Sequence, residues 1–500
     1  MRGGRARSLR PTTAALVWGA LLILASCRQP GVSSSPPPNN TLRIGLGQVP
    51  SSPTQGLNAL AQTLTVESLA RLGDDGRPQP LLARDWQISP DRRSLTVNLV
   101  PRAKFHDGTP LTSSIVADAL KSSMPAFMGP AFEDVESVEA PNPEQVVIRL
   151  RRPSPFLLDT LETVIVKPGS PLVGTGPFVA LDGKSPKELR ANSEYRLGKP
   201  AVDRITVETF PSVRAAWAEM LRGRLDMLYE VGVDALDSLQ ASNNIAIFTF
   251  TRRFQYVIVL NTKTDAFRPK AIRRALNMAI DREAVVRDAL GGHGTASSGP
   301  VWPRNYAFRG AAGTPRYDVA EAAKALSSGA RTSAATPKVH FTCLIGPDAI
   351  HERIALVIKR QLAAVGIDMS VEQVGLDVIA NSTKSRQFEA VLLEMISGPT
   401  LLRPYRLWHS GGGNGASSAE IDGALDRVRG SASDDEYATS ISAFQEAVID
   451  DPPAIFLAWM ERARAVSKRF EVPAAEPGRD IMSNLRLWKP SDALQQASRN

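Results

Sequence analysis

The chain has 500 residues, of which 43% are hydrophobic and 22% are charged, a balance that is ordinary for a soluble globular protein. This length exceeds what a single hydrophobic core supports, so two or three lobes are expected. The formal charge of +8 falls to +4 if the four arginines of residues 1–10 belong to a removable leader. The remaining net positive charge is too small, and its residues too scattered, to indicate a nucleic-acid-binding protein.

The N-terminal segment has the features of a secretory leader. Basic residues 1–10 precede an apolar run, residues 14–25, which is too short for a permanent membrane span but suits a signal-peptide core. The run ends in Leu-Ala-Ser-Cys, which resembles the lipobox of bacterial lipoproteins, so we expect cleavage before Cys27 and lipidation of its thiol. Residues 28–40 are rich in Pro, Ser and Asn and are predicted to be a flexible tether.

The stretch 81–120 predicts a strand, a turn and a helix. Alternating Leu95, Val97 and Leu99 indicate a half-buried strand. The turn contains His106 and Asp107, which could be taken for a catalytic pair, but adjacent turn residues more often hold their own loop. The interpretation is therefore structural. Thr112 is predicted to cap the following helix.

The remaining pattern alternates strands with amphipathic helices, which favours an α/β protein. Strands are predicted at 42–46, 146–150, 205–208, 253–261, 367–374, 388–395, 454–459 and 463–466, and helices at 212–221, 269–280, 282–290, 350–365, 421–428 and 437–448. Cys343 is predicted to be buried in a strand at 339–345, and it has no cysteine partner once Cys27 is lipidated.

The residue types needed for catalysis or a resident metal are not grouped in the sequence. The five histidines are scattered, no Cys/His cluster occurs, and there is no Gly-x-Ser-x-Gly motif. The sequence therefore predicts no enzyme activity, no metal site and no cofactor.

Three segments carry a family resemblance. The run LLARDWQISPDRRSLTVNLVPRAKFHDGTPLT (81–112), the turn GTGPF (174–178) and the run FRPKAIRRALNMAIDREAVV (267–286) resemble the family 5 extracellular solute-binding proteins. These are the peptide- and nickel-type receptors of ABC importers. The resemblance extends over 42–488, nearly the whole of the expected mature chain.

The resemblance implies a two-lobe, periplasmic-binding-protein-like α/β fold of type II, with an additional small domain on the first lobe. The expected organisation is a signal peptide at 1–27, a tether at 28–40, lobe I at 41–72, 165–265 and 466–500, the small domain at 73–164, and lobe II at 266–465.

The implied function is capture of a peptide-like or other polar solute between the lobes and its delivery to an ABC permease and ATPase complex. The protein would be a monomer, anchored through its lipid and facing the periplasm or the cell exterior, with no nucleic-acid partner. Two alternatives stay open: a nickel or metal-chelate receptor contacting its ligand through His409, and a diverged sensor or scaffold lipoprotein that has lost transport.

The candidate ligand contacts are Gln48, Phe254, Tyr256, Glu394, Trp408 and His409.

One departure from the family pattern limits the class of ligand. Peptide receptors of the family carry a Trp and an Asp after the strand that matches 388–395, and the Asp holds a peptide amino terminus. This chain has neither, which disfavours short peptides and leaves longer ones held through their backbones.

Overall fold

The computed structural model describes residues 40–47, 55–310, 316–328, 339–412, 418–476 and 479–491. The strands are β1 (Thr41–Gly47), β2 (Glu67–Ser68), β3 (Ala70–Leu72), β4 (Pro78–Pro80), β5 (Ala83–Ile88), β6 (Ser94–Leu99), β7 (Val135–Asn142), β8 (Gln145–Leu150), β9 (Val164–Ile165), β10 (Phe178–Ala180), β11 (Glu188–Ala191), β12 (Arg204–Phe210), β13 (Met227–Leu228), β14 (Ile245–Leu260), β15 (Gly294–Ala296), β16 (His340–Ile345), β17 (Asp368–Gln373), β18 (Ala390–Ile396), β19 (Ala454–Ser467), β20 (Phe470–Glu471) and β21 (Lys489–Pro490). The α-helices are α1 (Gln55–Thr65), α2 (Ser113–Met128), α3 (Val213–Leu221), α4 (Val233–Gln240), α5 (Lys270–Ala279), α6 (Arg282–Ala289), α7 (Val319–Ser328), α8 (Ala349–Ala363), α9 (Leu376–Ser385), α10 (Leu402–Trp408), α11 (Ala419–Arg429) and α12 (Asp434–Asp450). Short 3₁₀ helices occupy Gly129–Asp134, Pro155–Glu162 and Ile481–Leu487.

One mixed sheet organises the described chain. Its strand order is β10-β11-β12-β1-β13-β19-β14-β18-β16-β17, with β15 also paired to β19. The long neighbours β14 and β19 are antiparallel and connect the two halves of the sheet. A two-lobe molecule follows, in which both lobes share these two crossing strands.

Separate hydrophobic cores lie on the two halves of the sheet. In the first lobe, β1 and β12 contribute Leu42 and Ile205 to a core closed by Trp488. In the second lobe, alternate residues of β14 face different cores, as a strand period of two requires. Tyr256, Ile258 and Leu260 face a core with α5, α6 and α8, whereas Val257 and Val259 face a core with α10–α12.

A smaller four-stranded antiparallel sheet, of order β5-β6-β8-β7, packs against both lobes. Its hydrophobic face shares a core with α10–α12, and the buried Arg429 of α11 pairs with the buried Asp134 at a Nε–Oδ2 distance of 2.7 Å. On the first-lobe side, His106 lies 3.1 Å from the carbonyl oxygen of Gly176. The small sheet is therefore fixed to its surroundings by a shared core and by polar contacts.

The structure confirms most of the local predictions for the stretch 81–120. Leu95, Val97 and Leu99 are the buried residues of β6, and the Thr112 side chain accepts a hydrogen bond from the backbone at the start of α2. His106 is held by a backbone carbonyl, and Asp107 accepts a hydrogen bond from the backbone N–H of Thr109. Asp107 therefore holds its own loop, as predicted. The same prediction was wrong for His106, whose ring contacts the separate turn at Gly176.

The glycines of the 174–178 turn are needed because the turn packs directly on the end of α1. A Cβ at Gly174 would lie 2.3 Å from the carbonyl oxygen of Thr65, and one at Gly176 would lie 2.7 Å from the same atom. The glycines of this turn therefore allow a close backbone contact and do not form a phosphate-binding loop.

The prediction of two strands at 454–459 and 463–466 was wrong, because β19 is continuous from Ala454 to Ser467. Likewise β14 begins at Ile245, earlier than the predicted 253. In β19, pairing with β14 continues the strand through Glu461 and Arg462, charged residues that local pattern alone assigned to a break. In β14, pairing with β19 adds the uncharged residues 245–251. Cys343 is buried in β16, as predicted.

Within the described ranges, no helix has both the length and the apolar character that crossing a bilayer requires. Cys27 and Gln48 lie outside the described residues. The predicted lipidation and the predicted domain boundaries stay predictions.

Candidate functional site

The candidate site lies where the two crossing strands pass from one lobe to the other. Pairing between β14 and β19 is regular up to Thr251, opposite Glu461, and resumes at Gln255, opposite Trp459. The register shifts between Thr251 and Gln255, so the ladder is interrupted at this point. An interrupted ladder between two separately packed cores is a natural position for a hinge and for a ligand cleft.

Three side chains meet on one face of the sheet beside this interruption. Tyr256 is opposite Glu394 in the register of β14 and β18, and the Arg462 guanidinium of β19 lies 3.1 Å from the Glu394 carboxylate. Tyr256 is 2% exposed. Burial raises the pKa of its hydroxyl, and the nearby Glu394 carboxylate raises it further. The hydroxyl therefore remains a neutral hydrogen-bonding group.

The N-terminus of α8 adds a second polar pair to the same face. Asp348 caps α8 by accepting hydrogen bonds from the N–H groups of Ile350 and His351, and its other carboxylate oxygen lies 2.5 Å from Nδ1 of His351. The His351 ring is edge-to-face with Tyr256, with 5.7 Å between centroids. Burial is the largest single influence and would raise the pKa of Asp348, but the hydrogen bond and charge of His351 and the backbone N–H groups of His351 and Ile350 together outweigh it, so the pKa is lowered.

Arg462 connects the second-lobe side chains to the first lobe. Burial lowers the pKa of its guanidinium, whereas Tyr256 and the carboxylates of Glu394, Glu230 and Asp348 raise it, and the net shift is upward. Glu230 follows β13 of the first lobe, so Arg462 is within electrostatic reach of carboxylates from both lobes. We call Tyr256, Asp348, His351, Glu394 and Arg462 the cleft cluster.

Cations and aromatic rings line the crossing on the first-lobe side. The guanidinium carbon of Arg464 lies 3.9 Å from the ring centroid of Tyr229, and Arg464 pairs with Asp480 at 2.6 Å. The Arg252 guanidinium carbon lies 4.2 Å from the ring centroid of Phe254. Arg464 is buried and donates to Asp480, so of these two pairs it is the half-buried Arg252–Phe254 stack that offers a flat surface with directional donors to a polar ligand.

The structure brings together some of the sequence-predicted contacts and separates others. Phe254, Tyr256 and Glu394 all lie at the crossing, and Glu394 shares a face with Tyr256. Trp408 is 1% exposed and packs edge-to-face on Phe456 at 5.1 Å between ring centroids. Trp408 belongs to the core behind Val257, whereas Tyr256 faces the opposite core.

His409 follows Trp408 on that other face. Its ring stacks on Tyr405 at 4.8 Å, and its Nε2 lies 3.5 Å from Asp426. Trp408 and His409 therefore do not join the cleft cluster. Helix α10, which ends at Trp408, packs on the face of the sheet opposite to Tyr256. In the part of the chain that the structure describes, no group of three or more His, Cys, Asp or Glu side chains could hold a metal ion.

Sequence reasoning missed Arg462, Asp348 and His351. Arg462 fell in the assumed gap between two strands, and a charged residue inside a long apolar strand was the signal that could have identified it. His351 was considered only as one of the five scattered histidines. Its nearness to Tyr256 depends on packing α8 against β14, which no local pattern reveals.

The comparisons with known proteins fit this geometry. Residues 77–417 match the family described as bacterial extracellular solute-binding proteins, family 5 Middle. The oligopeptide-binding protein AppA of Bacillus subtilis is 23% identical over 436 residues, covering 78% of this chain and 80% of AppA.

Solved structures share the fold at low sequence identity. NikZ from Campylobacter jejuni, in complex with Ni(L-His), aligns with a TM-score of 0.77 and 21% identity over 90% of this chain and 100% of NikZ. AppA from Bacillus subtilis, in complex with a nonapeptide, aligns with a TM-score of 0.75 and 20% identity over 90% of this chain and 99% of AppA. The family match spans well over half of the chain and includes the small sheet and most of the second lobe, so the chain belongs to the family 5 bacterial extracellular solute-binding proteins.

Proposed function

We propose that this chain is the solute-binding receptor of an ABC importer and that it captures a polar, peptide-like solute between its lobes. The observation that carries the proposal is the interrupted pairing of β14 and β19 beside the cleft cluster. A solute that contacts groups from both lobes at this point would favour a closed arrangement, because its contacts are complete only when the lobes meet.

The chemistry of the cleft cluster supports a polar solute that carries both donors and acceptors. Arg462 offers guanidinium donors, Glu394 offers a carboxylate that is 30% exposed, and Tyr256 offers a neutral hydroxyl. Amide and carboxylate groups of a peptide backbone match this set. The relatives bind a nonapeptide and a nickel–histidine complex, both of which carry such groups.

Native mass spectrometry of the purified protein tests the proposal. The expected result is a bound mass that disappears on denaturation and whose fragments identify a peptide or another amide-bearing solute. A bound metal chelate would instead support the nickel-type alternative. If the purified protein carries nothing and its melting temperature does not change with mixed peptides or metal–histidine complexes, the receptor proposal fails.

A substitution at Arg462 locates the binding site. Arg462→Met should weaken solute binding by about tenfold or more, since a charge-assisted hydrogen bond contributes roughly 1.5–3 kcal/mol. Arg462→Lys should recover part of the affinity. Arg268→Met is the matched control, because the Arg268 side chain is 69% exposed and its ion pair is with Asp265, which is not a member of the cleft cluster. Unchanged affinity in a folded Arg462→Met protein would exclude the cleft cluster.

We also propose that Cys27 is lipidated and tethers the receptor to a membrane on the periplasmic or exterior side, where it serves its permease and ATPase. Intact-mass analysis of the membrane fraction should show a diacylglycerol-modified Cys27 at the mature N-terminus. Cys27→Ser should release the protein into the soluble fraction. A Cys27→Ser protein that stays in the membrane fraction would contradict lipid anchoring.

The proposed lobe boundaries follow the expected ranges, with the small domain at 73–164. The four-stranded sheet supports this, since its strands lie between Ala83 and Leu150.

A further inference from the structure

A cavity of about 710 Å³ lies beside the first lobe, with a lining different from the cleft cluster. Its walls come from the end of α1, the start of β5, the loop at 195–197 and the C-terminal residues 474–476 and 479–487. No member of the cleft cluster lines it. Its size falls within the range of small-molecule sites.

Arginines outnumber carboxylates in the cavity wall. Arg71, Arg196, Arg479 and Arg486 line it together with the carboxylates of Glu67 and Glu476. A fifth arginine at the wall, Arg84, is paired with Asp85, outside the lining, at 2.8 Å.

The hydrogen-bonding capacity of the Glu67 carboxylate is largely used. It accepts from the Thr175 hydroxyl at 2.8 Å, from the Tyr195 hydroxyl at 2.9 Å and from Arg196 at 3.1 Å. Glu67 is 6% exposed. The carboxylate is therefore committed to a buried network and does not neutralise the other arginines.

The Glu476 carboxylate is shared by two arginines. It lies 2.9 Å from Arg71 and 2.7 Å from Arg479. Burial lowers the pKa of Arg479, and the positive charge of Arg71 lowers it further. Arg486 forms no ion pair with any residue in the described ranges. The wall therefore carries positive charge that an anion would compensate.

The cavity also has an apolar part that continues to its rim. Leu64, Leu81 and Met482 line the interior, while Leu197 and Leu487 stand at the wall with exposed fractions of 48% and 41%. Large aliphatic side chains that remain this exposed beside a cavity offer apolar area for a ligand to cover.

We propose that this cavity is a second ligand site, distinct from the inter-lobe cleft, that takes an organic anion with an aliphatic body. The carboxylate of such a ligand would be held by Arg71, Arg479 and Arg486, and its chain would cover Leu197 and Leu487. The inference does not depend on the proposed transport function, because no cleft residue contributes to the cavity.

Isothermal titration of the purified protein with decanoate below its micelle concentration tests the site. Acetate supplies the carboxylate without the chain, and decyltrimethylammonium supplies the chain with the opposite charge. Saturable binding of decanoate that is much tighter than that of either control is expected. Equal binding of decanoate and decyltrimethylammonium, or no saturable binding of decanoate, overturns the proposal.

Substitutions then locate the bound anion. Arg486→Gln should weaken decanoate binding by about tenfold, and Leu487→Ser should weaken it severalfold; both side chains are at least partly exposed, so folding should be retained. Arg268→Gln, a charge loss away from the cavity, should have no effect. Arg462→Met should leave decanoate binding intact while weakening cleft binding, which separates the two proposals. Wild-type affinity in both Arg486→Gln and Leu487→Ser would overturn this one.

Discussion

The carboxyl group of Asp159 predicts a pH dependence of stability. Burial raises its pKa to about 7, although the Thr400 hydroxyl donates a hydrogen bond that partly opposes this shift. In an unfolded chain the group has a pKa of about 4. The folded protein therefore keeps a proton that the unfolded chain has lost, and this stabilisation is complete below about pH 4 and is lost as pH rises through about 7.

Asp159→Asn should remove this dependence, because an amide mimics the protonated carboxyl group and stays neutral. The variant should match the wild type near about pH 4 and exceed it above about pH 8 by up to roughly 4 kcal/mol. Urea unfolding midpoints across this range provide the measurement. Asp182→Asn, at an exposed aspartate, is the control. Parallel pH profiles for the wild type and Asp159→Asn would contradict the prediction.

The buried pair of Arg429 and Asp134 predicts a large loss of stability when one partner is removed. The two side chains are 5% and 2% exposed, and Arg429 also donates to the Tyr405 hydroxyl at 2.7 Å. Arg429→Met should lower the free energy of unfolding by about 3 kcal/mol, since it leaves a buried charge with fewer partners. Arg427→Met, at an exposed position of the same helix, should change it by less than about 0.5 kcal/mol. Equal effects of the two substitutions would show that the pair is not a major contributor.

At the scale of single elements, helix α6 gives a prediction from its cap. Asp281 accepts a hydrogen bond from the N–H of Ala284 at 3.0 Å. Asp281→Ala should destabilise the protein by about 1 kcal/mol, whereas Asp281→Asn, which keeps an acceptor, should cost only a few tenths. Thermal unfolding of both variants is the measurement, and similar losses for Ala and Asn would contradict a capping role.

Elements of this kind were predictable because their signals are local. The apolar side of helix α5 and the alternating apolar residues of β6 can each be recognised from residues a few positions apart. The structure buries Ala275, Leu276 and Ala279 on the apolar side of α5. Registers were not predictable in the same way. The contact of Glu394 with Arg462 joins residues 68 positions apart, and it depends on β14 lying between β18 and β19, which only the assembled sheet determines.

At the scale of the whole molecule, the candidate site, like the strand registers, could not be predicted from local sequence signals. Tyr256 and Trp408 were equally plausible cleft residues in the sequence, and the choice between them depends on which face of β14 is covered by which helices. The family resemblance identified the fold over nearly the whole chain, since it rests on structural positions such as Gly174, where a turn packs closely on another element. It could not identify the solute, because the side chains of the cleft cluster come from separate strands and a helix.

The two lobes are joined at the crossing strands, which predicts a closing motion when a solute binds. Lys184→Cys in the first lobe and Lys359→Cys in the second place a fluorophore pair on exposed positions in a Cys27→Ser background. The native Cys343 should stay unlabelled, because it is fully buried and burial raises its thiol pKa to about 12.

Energy transfer between the two labels should change on addition of the solute identified by mass spectrometry and should follow its binding isotherm. The same protein carrying Arg462→Met should need about tenfold more solute for the same change. Binding without any change in energy transfer would mean that the lobes are held in one arrangement, and that the shared core between the small sheet and α10–α12 prevents closure.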